Sequence, residues 1–161
     1  MTEIPALSPQ ILIDGDACPV KDEVYKVALR HNVPVLVVAN SWFRIPDHPL
    51  FTFKTVSDSF DAADDYIAEL ASPRSIAITA DIPLADRCLK AGAKVLGPRG
   101  KAFTEDMIGS ALATRAIMAD LRAGAVGENI GGPKPFNKQD RSQFLQALDK
   151  AIIALKKANP A

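Results

Sequence analysis

Residues 11–28 read ILIDGDACPVKDEVYKVA, and their pattern indicates the fold class. Its first part, residues 11–14, is an apolar run that ends at an aspartate and has the length of a short strand. Pro19 then stands where a first helical residue is favoured, and residues 24–28 follow the apolar period of an amphipathic helix. The stretch therefore predicts a strand followed by a helix, the unit from which parallel α/β sheets are built.

The same alternation continues along the chain. Further strand-sized runs are predicted at residues 35–39, 51–56, 75–79 and 94–96. Ser57 or Asp58 is expected to cap a helix whose apolar stripe consists of Phe60, Ala63, Ile67 and Leu70, and a second helix covers residues 83–91 before Gly92. We expect a three-layer α/β/α fold with a mainly parallel five-stranded sheet.

The last third of the chain predicts long C-terminal helices. Thr104 is the expected N-cap of a helix that reaches Arg122, and residues 124–137 form a loop rich in glycine and proline. A final helix over about residues 140–157 has one apolar face, formed by Phe144, Leu148, Ile152 and Leu155. A length of 161 residues with 48% hydrophobic side chains predicts a single domain over residues 1–161.

Composition excludes several classes of protein. No apolar run approaches the roughly 20 residues of a membrane span and no signal-peptide pattern opens the sequence, so we expect a cytoplasmic protein. The spacing of Cys18 and Cys88 disfavours a disulfide framework and a zinc site. The net charge is zero, but residues 1–96 hold 13 acidic and 9 basic groups whereas residues 97–161 hold 6 and 10. This asymmetry suits a metal site that works on an anionic substrate.

Aspartates follow two of the predicted strands at their carboxyl ends. Asp14 and Asp16 come after the first strand, and Asp81 and Asp86 come after the fourth. In a sheet of order 3-2-1-4-5 the switch point, where ligands bind, lies between these two strands. Because neighbouring strands are about 4.8 Å apart, we expect Asp14 and Asp81 to share one cation.

A second acidic group lies on the predicted helix after the third strand. On a helical wheel Asp61 and Asp64 share a flank of the apolar stripe, whereas Asp65 points to solvent. Carboxylates that converge at one sheet edge repel each other unless a cation neutralises them, and all-aspartate ligation favours Mg²⁺ or Mn²⁺ over zinc. The alternative for each residue is structural, since Asp81 could simply cap the helix that follows it.

Four segments resemble a known family over nearly the whole length of the chain. They are IDGDACPVKDEV at residues 13–24, DAADDYIAEL at 61–70, ITADIPLADRCLKAGAKVLGPRGKAFT at 78–104 and GGPKPFNKQDRSQFLQALD at 131–149. Together they resemble the YaiI/YqxD family of uncharacterised bacterial proteins, which in turn looks like a relative of the PIN-domain nucleases. The resemblance implies a parallel sheet between helices and an acidic site that holds Mg²⁺ or Mn²⁺ for phosphodiester hydrolysis.

The resemblance also implies roles for individual residues. Asp14 matches the aspartate that ends the first PIN strand, Asp64 the acidic residue on the middle helix, and Asp81 the aspartate after the fourth strand. Asp86 resembles the fourth, less regular acid. Asp16 and the two C-terminal helices depart from the PIN pattern, which leaves the substrate open.

A nuclease also needs cations for the substrate phosphate. Arg99 and Lys101 follow the fifth strand at the same edge and are candidates, although an ordinary solvated turn explains them equally well. Arg44, near Trp42 and Phe43, could join a phosphate contact to a base-stacking platform, although such aromatic residues more often belong to a core or an interface. The expected substrate is nucleic acid, with single-stranded RNA favoured.

Two other functions compete with the nuclease. An aspartate-nucleophile phosphatase of the haloacid-dehalogenase kind would use Asp14 as nucleophile and Asp16 as acid and base, but Cys18 stands where that layout has threonine. A non-catalytic module would keep the PIN-like fold and bind RNA or a protein without cleaving it. A homo-oligomer is compatible with the sequence, which does not decide the oligomeric state.

Overall fold

The computed structural model of the chain describes residues 9–59, 62–109 and 137–158. Apart from the helical residues 105–109, the elements of these residues are, in chain order, β1 Gln10–Asp14, α1 Lys21–His31, β2 Val35–Ala39, β3 Phe51–Thr55, α2 Ala62–Leu70, β4 Ser75–Ile78, α3 Ile82–Lys90, β5 Lys94–Leu96 and α4 Lys138–Ala158. A short 3-10 turn, Gly15–Ala17, follows β1, and residues 105–109 are helical.

All five strands form one parallel sheet of order β3-β2-β1-β4-β5. This is the predicted order, and it puts β1 at the centre with β2 and β4 on its two sides. The helices lie on both faces of the sheet, so the predicted three-layer α/β/α fold is confirmed. Each strand boundary lies within one residue of its predicted position.

Alternate residues of the strands face the two helical layers. On one face Ile11 and Ile13 pack with residues of α1 and with Phe144, Leu148 and Ile152 of α4. On the other face Leu12 packs with residues of α2 and α3, among them Ile67 and Leu84. Both cysteines are free thiols in these cores, and burial raises the pKa of each to about 11, so both serve packing as expected.

Helix α1 begins later than its sequence predicts. Pro19 restricts the preceding Cys18 to extended backbone, and the chain turns through Pro19 and Val20 before helical geometry starts at Lys21. The helix ends at His31, and its C-cap Asn32 has a left-handed φ of 58° and a backbone N–H that donates to carbonyls of the last turn.

Helix α4 starts with a reciprocal cap. The N–H of Asp140 donates to Asn137 Oδ1 at 2.8 Å, and the N–H of Asn137 donates to Asp140 Oδ2 at 3.1 Å. Arg141 then donates to the carbonyl of Pro19 and to Glu23, both at 3.0 Å, and so fixes the start of α4 beside the start of α1. The helix extends two residues further at its start than predicted and packs back on the sheet as expected.

The beginning of the other predicted C-terminal helix is also present. Thr104 Oγ1 accepts a hydrogen bond from the N–H of Met107 at 3.2 Å, which confirms Thr104 as an N-cap. The rest of that helix, to Arg122, and residues 124–136 of the predicted loop lie outside the described residues. Within the described ranges, no helix has the length and apolar character needed to cross a bilayer.

Candidate functional site

The candidate site lies at the carboxyl edge of the sheet, between the ends of β1 and β4. The chain leaves β1 toward the face covered by α1, and it leaves β4 toward the face covered by α3. Because the two connections diverge, the edge between the two strand ends is a switch point, the place where open α/β sheets form a ligand-binding crevice.

Asp14 and Thr79 join the two strand ends. The Thr79 hydroxyl donates to Asp14 Oδ2 at 3.0 Å and accepts a hydrogen bond from the N–H of Asp81 at 3.0 Å. Thr79 is only 4% exposed, so its hydroxyl is held in place by packing as well as by these bonds. Both aspartates are predicted from the sequence but Thr79 is not, although a polar residue at the end of a buried strand was a signal for it.

The environment of Asp14 works against its negative charge. Burial raises the pKa of Asp14 above its ordinary value, the hydrogen bond from Thr79 lowers it, and the charges of Asp16 and Asp81 raise it again. Lys21 is the cation that acts in the opposite direction. A bound cation would stabilise the ionised form of a partly buried carboxylate that has two acidic neighbours.

Asp16 connects the site to β2. Its two carboxylate oxygens accept the backbone N–H of Asn40 at 2.9 and 3.2 Å, just beyond the end of β2. Gly15 makes this approach possible, because a Cβ there would lie 2.8 Å from Val37 Cγ1 and 3.0 Å from the carbonyl oxygen of Val38. The Asp-Gly-Asp sequence therefore has a structural reason: the glycine lets the turn lie against β2 while the aspartates stay at the edge.

Asp81 is the N-cap of α3. Its Oδ1 accepts the N–H of Leu84 at 2.9 Å, and Pro83 lies in the first turn of the helix. Asp81 therefore has the structural role of a helix cap, which the sequence also allowed. The cap uses one of the two carboxylate oxygens, and capping keeps the exposed side chain at the edge of the sheet.

The remaining acidic candidates lie on α2 and α3. Asp64 is partly buried in the first turn of α2, and its charge acts on Cys88 of α3. Asp86 is paired with Lys90 along α3 at 2.9 Å, and the exposed Asp65 is paired with Arg87 at 2.8 Å. Asp61 lies outside the described residues.

The carboxylates are not gathered into a closed cluster. Among residues 9–59, 62–109 and 137–158, no three His, Cys, Asp or Glu side chains form a group arranged to hold a metal ion. The structure brings Asp14, Asp16 and Asp81 into electrostatic contact, and it places Asp64 and Asp86 on the neighbouring helices. The Mg²⁺ or Mn²⁺ site therefore stays a prediction.

The predicted phosphate-binding cations have different surroundings. Arg99 Nε lies 3.8 Å from Asp140 Oδ2, so this side chain reaches toward the start of α4. Lys101 is exposed in the same loop, where its carbonyl accepts the N–H of Gly97 at 2.9 Å. Arg44 is exposed on the connection between β2 and β3.

Comparison with known proteins places the whole site inside one family. The model of an uncharacterised bacterial family, YaiI/YqxD, matches residues 12–154, which include Asp14, Asp16, Asp64, Asp81 and Asp86. The chain belongs to the YaiI/YqxD family. No solved structure matches it.

Relatives of similar length support this membership. The UPF0178 protein of Sphingopyxis alaskensis is 63% identical over 150 residues, which cover 93% of this chain and 97% of the relative. The UPF0178 protein of Jannaschia sp. is 58% identical over 146 residues, covering 91% and 94%. That of Rhodopseudomonas palustris strain TIE-1 is 56% identical over 153 residues, covering 94% and 96%. The YaiI/YqxD match thus extends over nearly the full length of these relatives.

Proposed function

We propose that this YaiI/YqxD protein is a cytoplasmic hydrolase that uses Mg²⁺ or Mn²⁺ to cleave phosphodiester bonds, with single-stranded RNA as the favoured substrate. The observation that carries the proposal is the Asp14–Thr79 hydrogen bond at the switch point of the sheet. It holds a partly buried carboxylate beside Asp16 and Asp81, whose negative charges both act on Asp14. Such an arrangement is unfavourable without a cation, and stable proteins retain it at functional sites.

The donor chemistry suits a hard divalent ion. Asp14, Asp16 and Asp81 offer carboxylate oxygens, which Mg²⁺ and Mn²⁺ prefer, whereas the nearest thiol, Cys18, is buried with a raised pKa. Asp14 is bonded to Thr79 through Oδ2, and Asp81 caps α3 through Oδ1. Each carboxylate has a second oxygen that can turn toward a cation in the crevice.

The residues have separate roles in this mechanism. Asp14 and Asp81 would hold the ion from the two strand ends, Asp16 would contribute from the turn, and Asp64 and Asp86 would supply carboxylates from the helices. Asp61 is the further candidate ligand that the sequence predicts. A bound Mg²⁺ or Mn²⁺ would polarise the phosphate and lower the pKa of the attacking water. Arg99, Lys101 and Arg44 would neutralise and orient the phosphates of the nucleic acid, which the acidic edge otherwise repels.

The phosphatase alternative is less well supported at the position of Cys18. Cys18, at the position expected for threonine, is buried and packs in the core.

The test is cleavage of end-labelled single-stranded RNA and DNA by the full chain with Mg²⁺, with Mn²⁺ and with EDTA. The informative variants are Asp14→Asn and Asp81→Asn, because asparagine can still accept the Thr79 and Leu84 hydrogen bonds while its charge is lost. Asp149→Asn is the matched control: it also removes an aspartate charge, but on α4 beside His31 at the end of α1.

We expect metal-dependent cleavage that falls by about 100-fold or more in both site variants and is unchanged in the control, since removal of one catalytic charge typically has effects of this size. Absence of cleavage by the wild-type chain with every ion would contradict the hydrolase. If RNA still bound under those conditions, and bound equally to Asp81→Asn, a non-catalytic binding module would replace it.

A further inference from the structure

Trp42 is a large aromatic side chain left open to solvent beside the site. It is 69% exposed, more than Leu29, Met107 or any other exposed large hydrophobic residue in the described ranges. It lies on the connection from β2 to β3, two residues beyond Asn40, whose N–H is held by Asp16. The exposed ring is therefore attached to the same edge of the sheet as the carboxylates.

The ring has a rigid support beneath it. The centroids of Trp42 and Phe53 are 6.5 Å apart, and Phe53 meets Phe43 edge to face with centroids 4.8 Å apart. Lys21 Nζ lies 4.7 Å from the centroid of Phe43 and also donates to the carbonyl of Cys18. Phe43 and Phe53 pack against the core, so they hold Trp42 at the surface and leave it exposed.

The surroundings of Trp42 specify the chemistry of a partner. Arg44, two residues further on, is exposed, and Ser41 is an exposed polar neighbour. An exposed flat ring with an exposed arginine two residues further along the chain fits a partner that offers an aromatic face and a negative charge together. A nucleobase with its phosphate has this combination, whereas a protein interface needs a broader apolar patch than one ring.

We propose that Trp42 stacks on an unpaired base of single-stranded nucleic acid and that Arg44 neutralises a phosphate next to that base. The choice of nucleic acid as ligand rests on the proposed function. Duplex bases are already stacked on their neighbours, so the same surface selects single strands. Trp42 is thus a residue that determines substrate selection at the carboxyl edge.

The test uses the fact that Trp42 is the only tryptophan of the chain. Tryptophan fluorescence of the full-length protein is titrated with single-stranded RNA and single-stranded DNA of one sequence, with the duplex, and with an abasic strand of equal charge. Each titration is run in EDTA and in Ca²⁺, and no cleavage is needed for the signal. The RNA and DNA arms identify which strand is preferred.

We expect base-containing single strands to quench the emission, and we expect the abasic strand and the duplex to leave it nearly unchanged. Binding of a labelled strand, followed by anisotropy, should weaken by about tenfold or more in Trp42→Ala and by much less in Trp42→Phe, which keeps an aromatic face. Arg44→Gln should lower the slope of binding against salt by about one.

Three results would overturn the proposal: equal quenching by the abasic strand, tight binding without quenching, or unchanged affinity of Trp42→Ala. A blue-shifted emission of the protein alone, with sedimentation as a dimer that Trp42→Ala abolishes, would instead assign the ring to a contact between two copies. Quenching without any cleavage in the nuclease assay would leave the stacking role intact and reject only the hydrolase. Cleavage without quenching would leave the hydrolase intact and reject only the stacking role of Trp42.

Discussion

The carboxyl group of Asp14 lies where ionisation opposes folding. Burial, and then the charges of Asp16 and Asp81, raise its pKa above the ordinary 3.8, so the folded state holds the proton more strongly than the unfolded state. Stability is therefore lost as the pH rises from the unfolded pKa through the folded pKa. We expect Asp14→Asn to raise the melting temperature by a few degrees at pH 7, because the amide keeps the Thr79 bond without the charge.

Calorimetry or thermal denaturation followed by circular dichroism checks this expectation. The gain should disappear below about pH 3.8, where the unfolded carboxyl is protonated as well. Asp47→Asn, an exposed carboxylate on the β2–β3 connection, is the control and should change the melting temperature little. A lower melting temperature for Asp14→Asn at pH 7 would show that the charge stabilises the fold.

A second effect at the residue scale concerns Gly100. Its φ is +89°, and a Cβ there would lie 2.7 Å from the carbonyl oxygen of Gln143 on α4. Gly100→Ala should destabilise the protein by about 1–3 kcal/mol in urea denaturation, from backbone strain and from displacement of α4. Gly109 is helical with open space around it, so the same substitution there should be neutral or slightly stabilising. Equal losses at both glycines would contradict this explanation.

At the scale of elements, the reciprocal cap of α4 supports a prediction. Asn137→Ala removes the side chain that accepts the Asp140 N–H, and it should lower the free energy of unfolding by about 0.5–2 kcal/mol. Asn137→Asp keeps an acceptor at the N-terminus of the helix and should retain most of the stability. Chemical denaturation of both variants measures this, and an equal loss in the aspartate variant would rule out capping as the cause.

The elements themselves were largely predictable from the sequence. Each strand is a short apolar or β-branched run, and its position follows from the local apolar pattern. The sheet order is an expectation from the α/β fold class, and the structure has that order. The start of α1 was not predictable to the residue, because Pro19 also favours a turn and restricts Cys18. Pro19 can either begin a helix or lie in a turn. The choice depends on the packing of the buried Val20 beside it, which a local sequence pattern does not describe.

The candidate site was predictable only in part, for a related reason. That Asp14 and Asp81 lie at one edge follows from topology alone. The Thr79 bond, the Asn40 N–H at Asp16 and the pairing of Arg99 with Asp140 are contacts between residues distant in sequence. Their formation depends on distances of a few ångströms in the folded chain, which spacing along the sequence does not determine.

For the whole molecule, Asp149 makes the free energy of unfolding change with pH in the direction opposite to that expected from Asp14. His31 Nε2 lies 2.6 Å from Asp149 Oδ1 and Arg30 lies 3.4 Å from it, so this carboxylate joins the end of α1 to α4. The hydrogen bond with His31 lowers the pKa of Asp149 below its ordinary 3.8. The stabilisation is therefore fully present above the unfolded pKa and is lost as the pH falls through the folded pKa.

We expect this contribution to appear in an acid titration of the whole domain. As the pH falls from the ordinary aspartate pKa of 3.8 through the lower pKa of the folded state, the free energy of unfolding of the wild-type chain should fall more steeply than that of Asp149→Asn. Urea denaturation at a series of pH values provides the measurement, with Asp47→Asn as the control. Parallel curves for wild type and Asp149→Asn would mean that the pair contributes nothing to the acid response.

The central position of β1 in the sheet predicts the order in which the strands exchange their amide protons with solvent. Its backbone is paired on both sides, by β2 and β4, and Ile11, Leu12 and Ile13 have no exposed surface, whereas β3 and β5 are the edge strands of the sheet formed by the described part of the chain. In amide hydrogen exchange, the β1 protons should therefore exchange most slowly, at the rate of global unfolding, and those of β3 should exchange earlier through local opening. Asp14 therefore lies at the end of the strand whose amides should stay protected longest. Trp42 lies on the connection that leaves β2, which is the neighbour of the edge strand β3, where local opening should come first.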